Sequence, residues 1–288
     1  MSRGSKVCPE CGALNSVDSE SCGRCESRFP GAIRAWLMDS WVSLMGREIP
    51  MTRFFVGLSI GLYGMGVLSG VDFDIMGGFS GAQALRWGAV TPALAQVEPW
   101  RLVSAIFIHF GVLHLGLNMM GLVDLGKQLE RLIGSARFAT LFVFTGIAGF
   151  VLSGLYYATF GSMNQGTGGA SGGVFGVIAG LIGYLYARKD PRWKSMFIRL
   201  AIYTLLFALM GGAVNNAAHL GGFLAGAPLG YFFYKERRPA RLQRLFQGLA
   251  WVFAVGSIAS VLLTNASDTW RVERAREIQR QGFEPVLD

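Results

Sequence analysis

Apolar residues in this chain run together in long blocks instead of alternating with polar ones. Seven blocks, approximately 54–71, 113–130, 136–158, 171–187, 196–213, 219–234 and 246–264, approach the ~17–25 residues a membrane-crossing helix needs. They predict an all-α polytopic membrane protein. Between 31 and 50 the pattern changes: Ile33, Trp36, Leu37, Trp41, Leu44 and Met45 recur at helical spacing, with Arg34, Asp39, Ser43 and Arg47 elsewhere on the wheel. That stretch is too short to span and predicts an amphipathic helix lying on the bilayer surface, with a partner-binding helix as the alternative. The residues before the first block do not resemble a cleavable targeting segment.

Composition agrees with the pattern. Charged residues make up 15% of the chain, against about a quarter in soluble domains, and glycine contributes 40 of 288 positions. Small residues of this kind let membrane helices approach at backbone distance. The net charge of +8 would suit nucleic acid, but the basic residues sit mostly between apolar blocks. Lys127, Arg131 and Arg137 follow the second block, Arg188, Lys189, Arg192 and Lys194 the fourth, and Lys235, Arg237, Arg238, Arg241 and Arg244 the sixth. Connections 159–170 and 211–218 carry no charge. The positive-inside rule explains this alternation without nucleic acid, and places the N-terminus in the cytoplasm and the C-terminus outside, in what we expect to be a prokaryotic cell membrane.

The N-terminal segment "CPECGALNSVDSESCGRC" contains all four cysteines, Cys8, Cys11, Cys22 and Cys25, as two C-x-x-C pairs. Two such knuckles can direct four thiolates at one Zn²⁺, so that a segment too short for a hydrophobic core folds on the metal. Two disulfides or unliganded thiols are the alternative, which a reducing cytosol disfavours. With four cysteine ligands the zinc is structural and has no open position for catalysis. The expected organisation is a minimal zinc ribbon over 1–30, the interfacial helix or linker over 31–50, a membrane domain over 51–264 and a charged tail over 265–288. The ribbon is a candidate for recruiting a cytoplasmic protein partner.

Polar residues inside the blocks carry the functional signal, because burying them in lipid is costly. The three histidines are His109 and His114, with Asn118 one helical turn beyond His114, and His219. Ser171 lies in "GGASGGVFG". Ser171 is 17 residues from Arg188, His219 is 16 from Lys235 and His114 is 17 from Arg131, or ~24–25 Å each at the helical rise. Three blocks thus bring a hydroxyl, an imidazole and an imidazole-plus-amide to one level, just below the outer surface. Gly172, Gly176 and Gly180 face a matching run of Gly222, Gly226 and Gly230. Close packing along these ridges would bring Ser171 to His219, while Gly168 and Gly169 permit a sharp turn that frees backbone N–H groups for an oxyanion. A glycine-rich packing helix with an incidental serine, or histidines that only bond neighbouring helices, would leave the same residues without chemistry. Asp124 and Glu130 fall nearer the cytoplasmic end, so the inferred machinery is a dyad without an orienting carboxylate.

At this point the chain resembles the rhomboid family of intramembrane serine proteases. "GASG" at 169–172 is similar to that family's nucleophile motif, "HLGLN" at 114–118 to its oxyanion motif, "AHLGG" at 218–222 to its base motif, and "WR" at 100–101 to a signature of its first external loop. The resemblance covers about 51–264 and implies a six-helix core, here with a seventh C-terminal transmembrane helix, that cleaves transmembrane segments of membrane-protein substrates near the outer leaflet without metal or ATP. It implies Ser171 as nucleophile, His219 as base, and His114, Asn118 and the Ser171 amide as oxyanion donors. His109, Gly169, Gly172 and Gly222 are supporting residues, and Phe175 is a ring that can stack near the base where some members carry tyrosine. Water is expected to arrive past Asn164, Gln165, Thr167, Asn215 and Asn216, with block 196–213 and loop 211–218 moving to admit substrate. A catalytically silent rhomboid-like chaperone or adaptor is the alternative. A transporter would require further midplane polar groups, which the sequence lacks.

Overall fold

The computed structural model describes residues 5–8, 13–24, 26, 28, 50–68, 73–74, 78–79, 81–208, 214–236, 239–267 and 269. The chain divides into two compact units, Met1–Ile49 and Pro50–Asp288.

In the first unit β1 (Ser5–Val7) pairs antiparallel with β2 (Leu14–Ser16), Ser5 opposite Ser16 and Val7 opposite Leu14. The Cys8 N–H donates to the Ala13 carbonyl at 2.8 Å and closes the turn between them. Cys8 and Cys22 are buried. The amphipathic helix expected over 31–50 lies outside the described residues apart from Pro50, as do Cys11 and Cys25.

The second unit is helical. It begins with α1 (Met51–Leu68), followed by the two-residue strands β3 (Phe73–Asp74) and β4 (Gly78–Phe79) and the short helices α2 (Gly81–Trp87), α3 (Pro92–Val97) and α4 (Arg101–Ser104). A longer rod follows, made of α5 (Val112–Gly121), a π-turn at Leu122–Gly126 and α6 (Lys127–Ile133). Then come α7 (Ser135–Phe160), α8 (Ser171–Ala187), α9 (Trp193–Ala208), α10 (Asn216–Lys235) and α11 (Pro239–Ala266). Every apolar block of the sequence has its helix, with ends shifted by a few residues. Among the described residues, Met51–Leu68, Ser135–Phe160 and Leu242–Ala266 are long and apolar enough to cross a bilayer alone. Arg101–Phe107 and Val112–Ile133 form a pair bent by 95°, and Ser171–Ala187 is apolar but shorter. Helix α9 has 16 described residues, and α10, with 20, carries His219 and Pro228 within it.

Helix α8 sits at the centre, with Val174, Val177, Ile178 and Ala179 wholly inaccessible. It is apolar on every face because protein surrounds it. Helices α8 and α10 meet through their backbones. A Cβ placed on Gly222, Gly226 or Gly230 would lie 1.9, 2.2 or 1.9 Å from the carbonyl oxygen of Gly172, Gly176 or Gly180 respectively. No side chain could rotate out of those contacts, so glycine at spacing four is what allows the two helices to touch. Outward-facing Ile198, Val252 and Leu262, each at least 64% exposed, belong to an apolar lipid-facing surface.

Polar groups fasten the rods at their ends. The buried Glu130 carboxylate accepts from the Met51 N–H at 2.6 Å and the Thr52 N–H at 3.2 Å, and so caps the N-terminus of α1. Arg137 donates from two nitrogens to Glu236, at 3.0 and 3.1 Å, and from a third to Gln243 at 2.5 Å, tying the starts of α7 and α11 to the end of α10. In the long connection between α1 and α5, the wholly buried Arg101 donates to Glu98 and to the Leu85 and Ala89 carbonyls, the latter two at 2.6 and 2.9 Å. The Ser267 hydroxyl, just past α11, donates to the same Glu98 carboxylate. The start of the charged tail therefore reaches into this connection; residues 270–288 lie outside the described set.

Candidate functional site

Ser171 is the first residue of α8, buried to 8% exposure. The chain arrives through a strap that is bonded at each step. Thr167 and Val90 exchange backbone hydrogen bonds at 2.8 and 2.9 Å, the Gly169 N–H donates to the Ala105 carbonyl at 2.8 Å, and the Ala170 N–H donates to His109 Nε2 at 3.3 Å. His109 Nδ1 lies 3.1 Å from the Phe107 carbonyl. One ring nitrogen facing a donor and the other an acceptor select a single neutral tautomer, protonated on Nδ1. His109 thus pins the residue preceding the serine and is engaged on both nitrogens.

Glycine is required at 169 on two counts. Its φ is +126°, and a Cβ there would lie 2.7 Å from Cε1 and Nε2 of His114. His114 consequently packs onto the strap two residues before Ser171. The His114 ring stacks parallel to Phe110, with centroids 6.3 Å apart, and meets His109 edge-on at 5.1 Å. Asn118, wholly buried, donates through Nδ2 to the His114 carbonyl at 2.8 Å and keeps its second Nδ2 proton for another acceptor. Its Oδ1 has no partner.

His219 lies in the first turn of α10, 6% exposed. Its imidazole stacks on Phe175, centroids 4.1 Å apart and planes 8° off parallel. Phe175 stands one turn beyond Ser171 on α8, so the ring that holds the imidazole flat belongs to the helix that opens with the serine. Backbones converge at the same level: a Cβ on Gly149 would sit 2.7 Å from the Ala218 carbonyl oxygen, and one on Gly172 3.4 Å from it. Helices α7, α8 and α10 all meet beside His219.

Asn215 is the residue whose role the sequence hid. The sequence places it beside the expected water path. Its Oδ1 accepts from the Ala218 N–H at 3.0 Å as the N-cap of α10, while Nδ2 donates to Ser153 at 2.6 Å and Thr167 at 2.9 Å. One amide joins the His219 helix, α7 and the strap to Ser171. The signal was an Asn three residues ahead of an apolar run, a helix-start pattern. Asn215 and Thr167 thus also hold the strap and the start of α10 in place, and Asn164, Gln165 and Asn216 are exposed. Asp124 and Glu130 stay clear of this site in other interactions, with Arg199 at 2.6 Å and with the N-terminus of α1.

In the N-terminal unit Cys22 Sγ accepts from the Arg24 N–H at 3.4 Å and from Asn15 Nδ2 at 3.5 Å, while Asn15 Oδ1 accepts from the Gly23 N–H at 2.9 Å. Donors directed at sulfur suit a thiolate, so the surroundings of Cys22 fit a zinc ligand role. Among the described residues no cluster of three or more potential ligands forms, Cys11 and Cys25 lying outside them.

Fold and site together define an integral membrane protein that gathers three histidines and an asparagine around the strap and helix carrying a buried serine. Residues 96–236 match the family model described as the Rhomboid domain. Related curated proteins include RHOMBOID-like protein 4 of Arabidopsis thaliana, 32% identical over 177 residues (55% of this chain, 43% of the relative). Rhomboid-like protease 3 of Toxoplasma gondii is 29% identical over 181 residues (61% and 68%), and Rhomboid protease GluP of Bacillus subtilis is 31% identical over 185 (61% and 33%). The chain thus spans between about a third and two-thirds of the length of these relatives. The domain match and the relatives, two of them named proteases, support the rhomboid family for this chain.

Proposed function

We propose that the protein is an intramembrane serine endopeptidase that cleaves transmembrane segments of membrane-protein substrates near the outer leaflet, with Ser171 and His219 as its dyad. The observation that carries the reading is the parallel stack of His219 on Phe175, one turn from Ser171 on the same helix. The glycine contacts between α8 and α10 hold the two helices at a spacing that leaves no slack in this arrangement.

In the reaction His219 takes the Ser171 hydroxyl proton as Oγ attacks the scissile carbonyl carbon. The tetrahedral oxyanion accepts hydrogen bonds from the Ser171 N–H, from His114 and from the free Nδ2 proton of Asn118. Collapse breaks the C–N bond, and the leaving amine takes the proton from His219. Water then adds to the acyl-serine ester with His219 as base again, releasing the acid and restoring Oγ–H. The Phe175 ring orients His219 by stacking. The substrate must unwind locally, because a helical carbonyl is hydrogen-bonded and shielded.

The reading extends to a six-helix core with α11 as an appended seventh span, the N-terminus in the cytoplasm and the C-terminus outside. In the N-terminal unit Cys8, Cys11, Cys22 and Cys25 would hold one Zn²⁺. Bound there, the metal supplies folding free energy and no catalysis, and the folded ribbon presents a surface to a cytoplasmic partner. The test is cleavage of a reporter transmembrane protein in membranes by the parent chain and by Ser171→Ala and His219→Ala. Each substitution abolishes cleavage while the protein still inserts; undiminished turnover by either would remove the dyad, and no cleavage by the parent chain would leave a chaperone or adaptor.

A further inference from the structure

At the ends of α8 and α10 remote from Ser171 and His219, the turn 188–192 and the start of α9 enclose a cavity of ≈ 460 Å³. Its walls include three lysines from three elements, Lys189 of the turn, Lys194 of α9 and Lys235 of α10, together with Tyr186, Trp193 and Tyr231, and no carboxylate. The two acids that adjoin lining residues in the sequence are already engaged. Asp190 accepts from Arg192 at 2.6 and 2.9 Å, and Glu236 from Arg137. Among the described residues none of the three lysines is in a salt bridge. Among the described residues nothing neutralises the positive charge that the cavity concentrates.

Two features show that this is more than a scatter of surface lysines. The α8 helix ends in a Schellman turn, the Lys189 N–H donating to the Tyr186 carbonyl at 3.0 Å and the Asp190 N–H to the Leu185 carbonyl at 2.9 Å. The left-handed residue of such a turn is ordinarily glycine, and here it is a lysine at φ +61°. In a chain with 40 glycines, this position accepts backbone strain and keeps an ammonium facing the cavity. The aromatics also position the other two charges: Lys194 Nζ stands 5.8 Å over the Trp193 ring and Lys235 Nζ 5.8 Å over the Tyr231 ring.

Location identifies the ligand class. Tyr186 is 15 residues along α8 from Ser171, ~22 Å at the helical rise, which places the cavity at the headgroup level of the leaflet opposite the serine. Tyr186, Trp193 and Phe197 form a ladder of edge-on contacts, 5.8 Å at each step, running from the cavity onto the outward face of α9. One and two turns beyond Phe197 are the exposed Ala201 and Leu205. A cationic cup opening onto an apolar strip matches a phosphate headgroup joined to acyl chains. We propose that this cavity binds the headgroup of an anionic phospholipid, its phosphate among the three lysines and its chains along α9.

The site is separate from the proposed dyad, and so is its test. The full chain in detergent is given phosphatidylglycerol or phosphatidylcholine and the lipid retained is counted by native mass spectrometry, with Lys189→Gly, Lys194→Gln and Lys235→Gln singly and together. Phosphatidylglycerol is retained in preference by the parent, and the preference falls about fivefold per lysine removed. Lys189→Gly places the ordinary residue in the left-handed turn, so it weakens lipid retention without lowering the melting temperature. Equal retention of the two lipids, or an unchanged preference in the triple variant, would overturn the proposal. Displacement of the lipid by millimolar inorganic phosphate would overturn it too, by making the occupant a soluble anion.

Discussion

A methyl group added at Gly222 separates the packing account from a purely local role for that glycine. The alanine Cβ would lie 1.9 Å from the Gly172 carbonyl oxygen and 2.8 Å from its carbon. A close carbon–oxygen contact is about 3.3 Å, so α8 and α10 must part there by about 1.4 Å. Overpacking of this kind costs about 1–3 kcal/mol. The same displacement shifts the turn carrying His219 relative to the turn carrying Ser171, and a ~1 Å error between reacting groups costs about 100-fold in rate. Gly230→Ala meets an equal clash, 1.9 Å from the Gly180 oxygen, but 11 residues from His219. It should lower the melting temperature comparably and reduce cleavage far less. Gly256→Ala, whose Cβ meets nothing within 4 Å, is the control and should change neither. Melting temperature in detergent and cleavage of a reporter per folded molecule measure the two effects. If Gly222→Ala behaves like Gly256→Ala, or if Gly230→Ala damages cleavage as much as Gly222→Ala, the reasoning fails.

Further outcomes follow from the fastenings. Burial opposes ionisation of Glu98, but hydrogen bonds from Ser267 and Arg101 outweigh it and hold the carboxyl below the ordinary glutamate range. Its stabilisation is therefore complete above about pH 4.3 and is lost as pH falls through the lowered folded value, so the melting temperature drops in acid. Glu98→Gln leaves Arg101 buried without a counter-charge and should cost about 3–5 kcal/mol at neutral pH, while flattening that acid drop. Asp124→Asn removes the half-exposed pair with Arg199 between the α5–α6 rod and α9. It should cost at most about 1 kcal/mol and, if α9 moves to admit substrate, increase cleavage modestly; a decrease would argue against that motion. Metal analysis of the purified chain should give one zinc per chain, lost on Cys22→Ser, and a chain that stays zinc-free and folded would refute the ribbon.

The positions of the apolar helices were legible because a bilayer forces long apolar runs, and the four motifs of the site were legible because each needs particular residue types at fixed spacing. The bond from the Ala170 N–H to His109 Nε2 was not, because it joins positions 61 residues apart. Nor could the sequence distinguish a polar loop residue that meets water from one that bonds three elements, as Asn215 does. The Glu98–Ser267 contact joins residues 169 positions apart, and no local periodicity encodes such a pair. The lysine cavity was visible only as positive-inside charge, since nothing in the sequence tells which lysines converge.

Covalent capture of Ser171 tests the central claim most directly. The full chain is treated with a fluorophosphonate, and the adduct is located and quantified by mass spectrometry, alongside His219→Ala and Phe175→Leu. An activated dyad predicts one adduct, on Ser171, that vanishes in His219→Ala and forms more slowly in Phe175→Leu, where the imidazole loses the ring it stacks on. Labelling of Ser171 at the parent rate in His219→Ala, or no labelling of Ser171 in the folded parent chain, would contradict it.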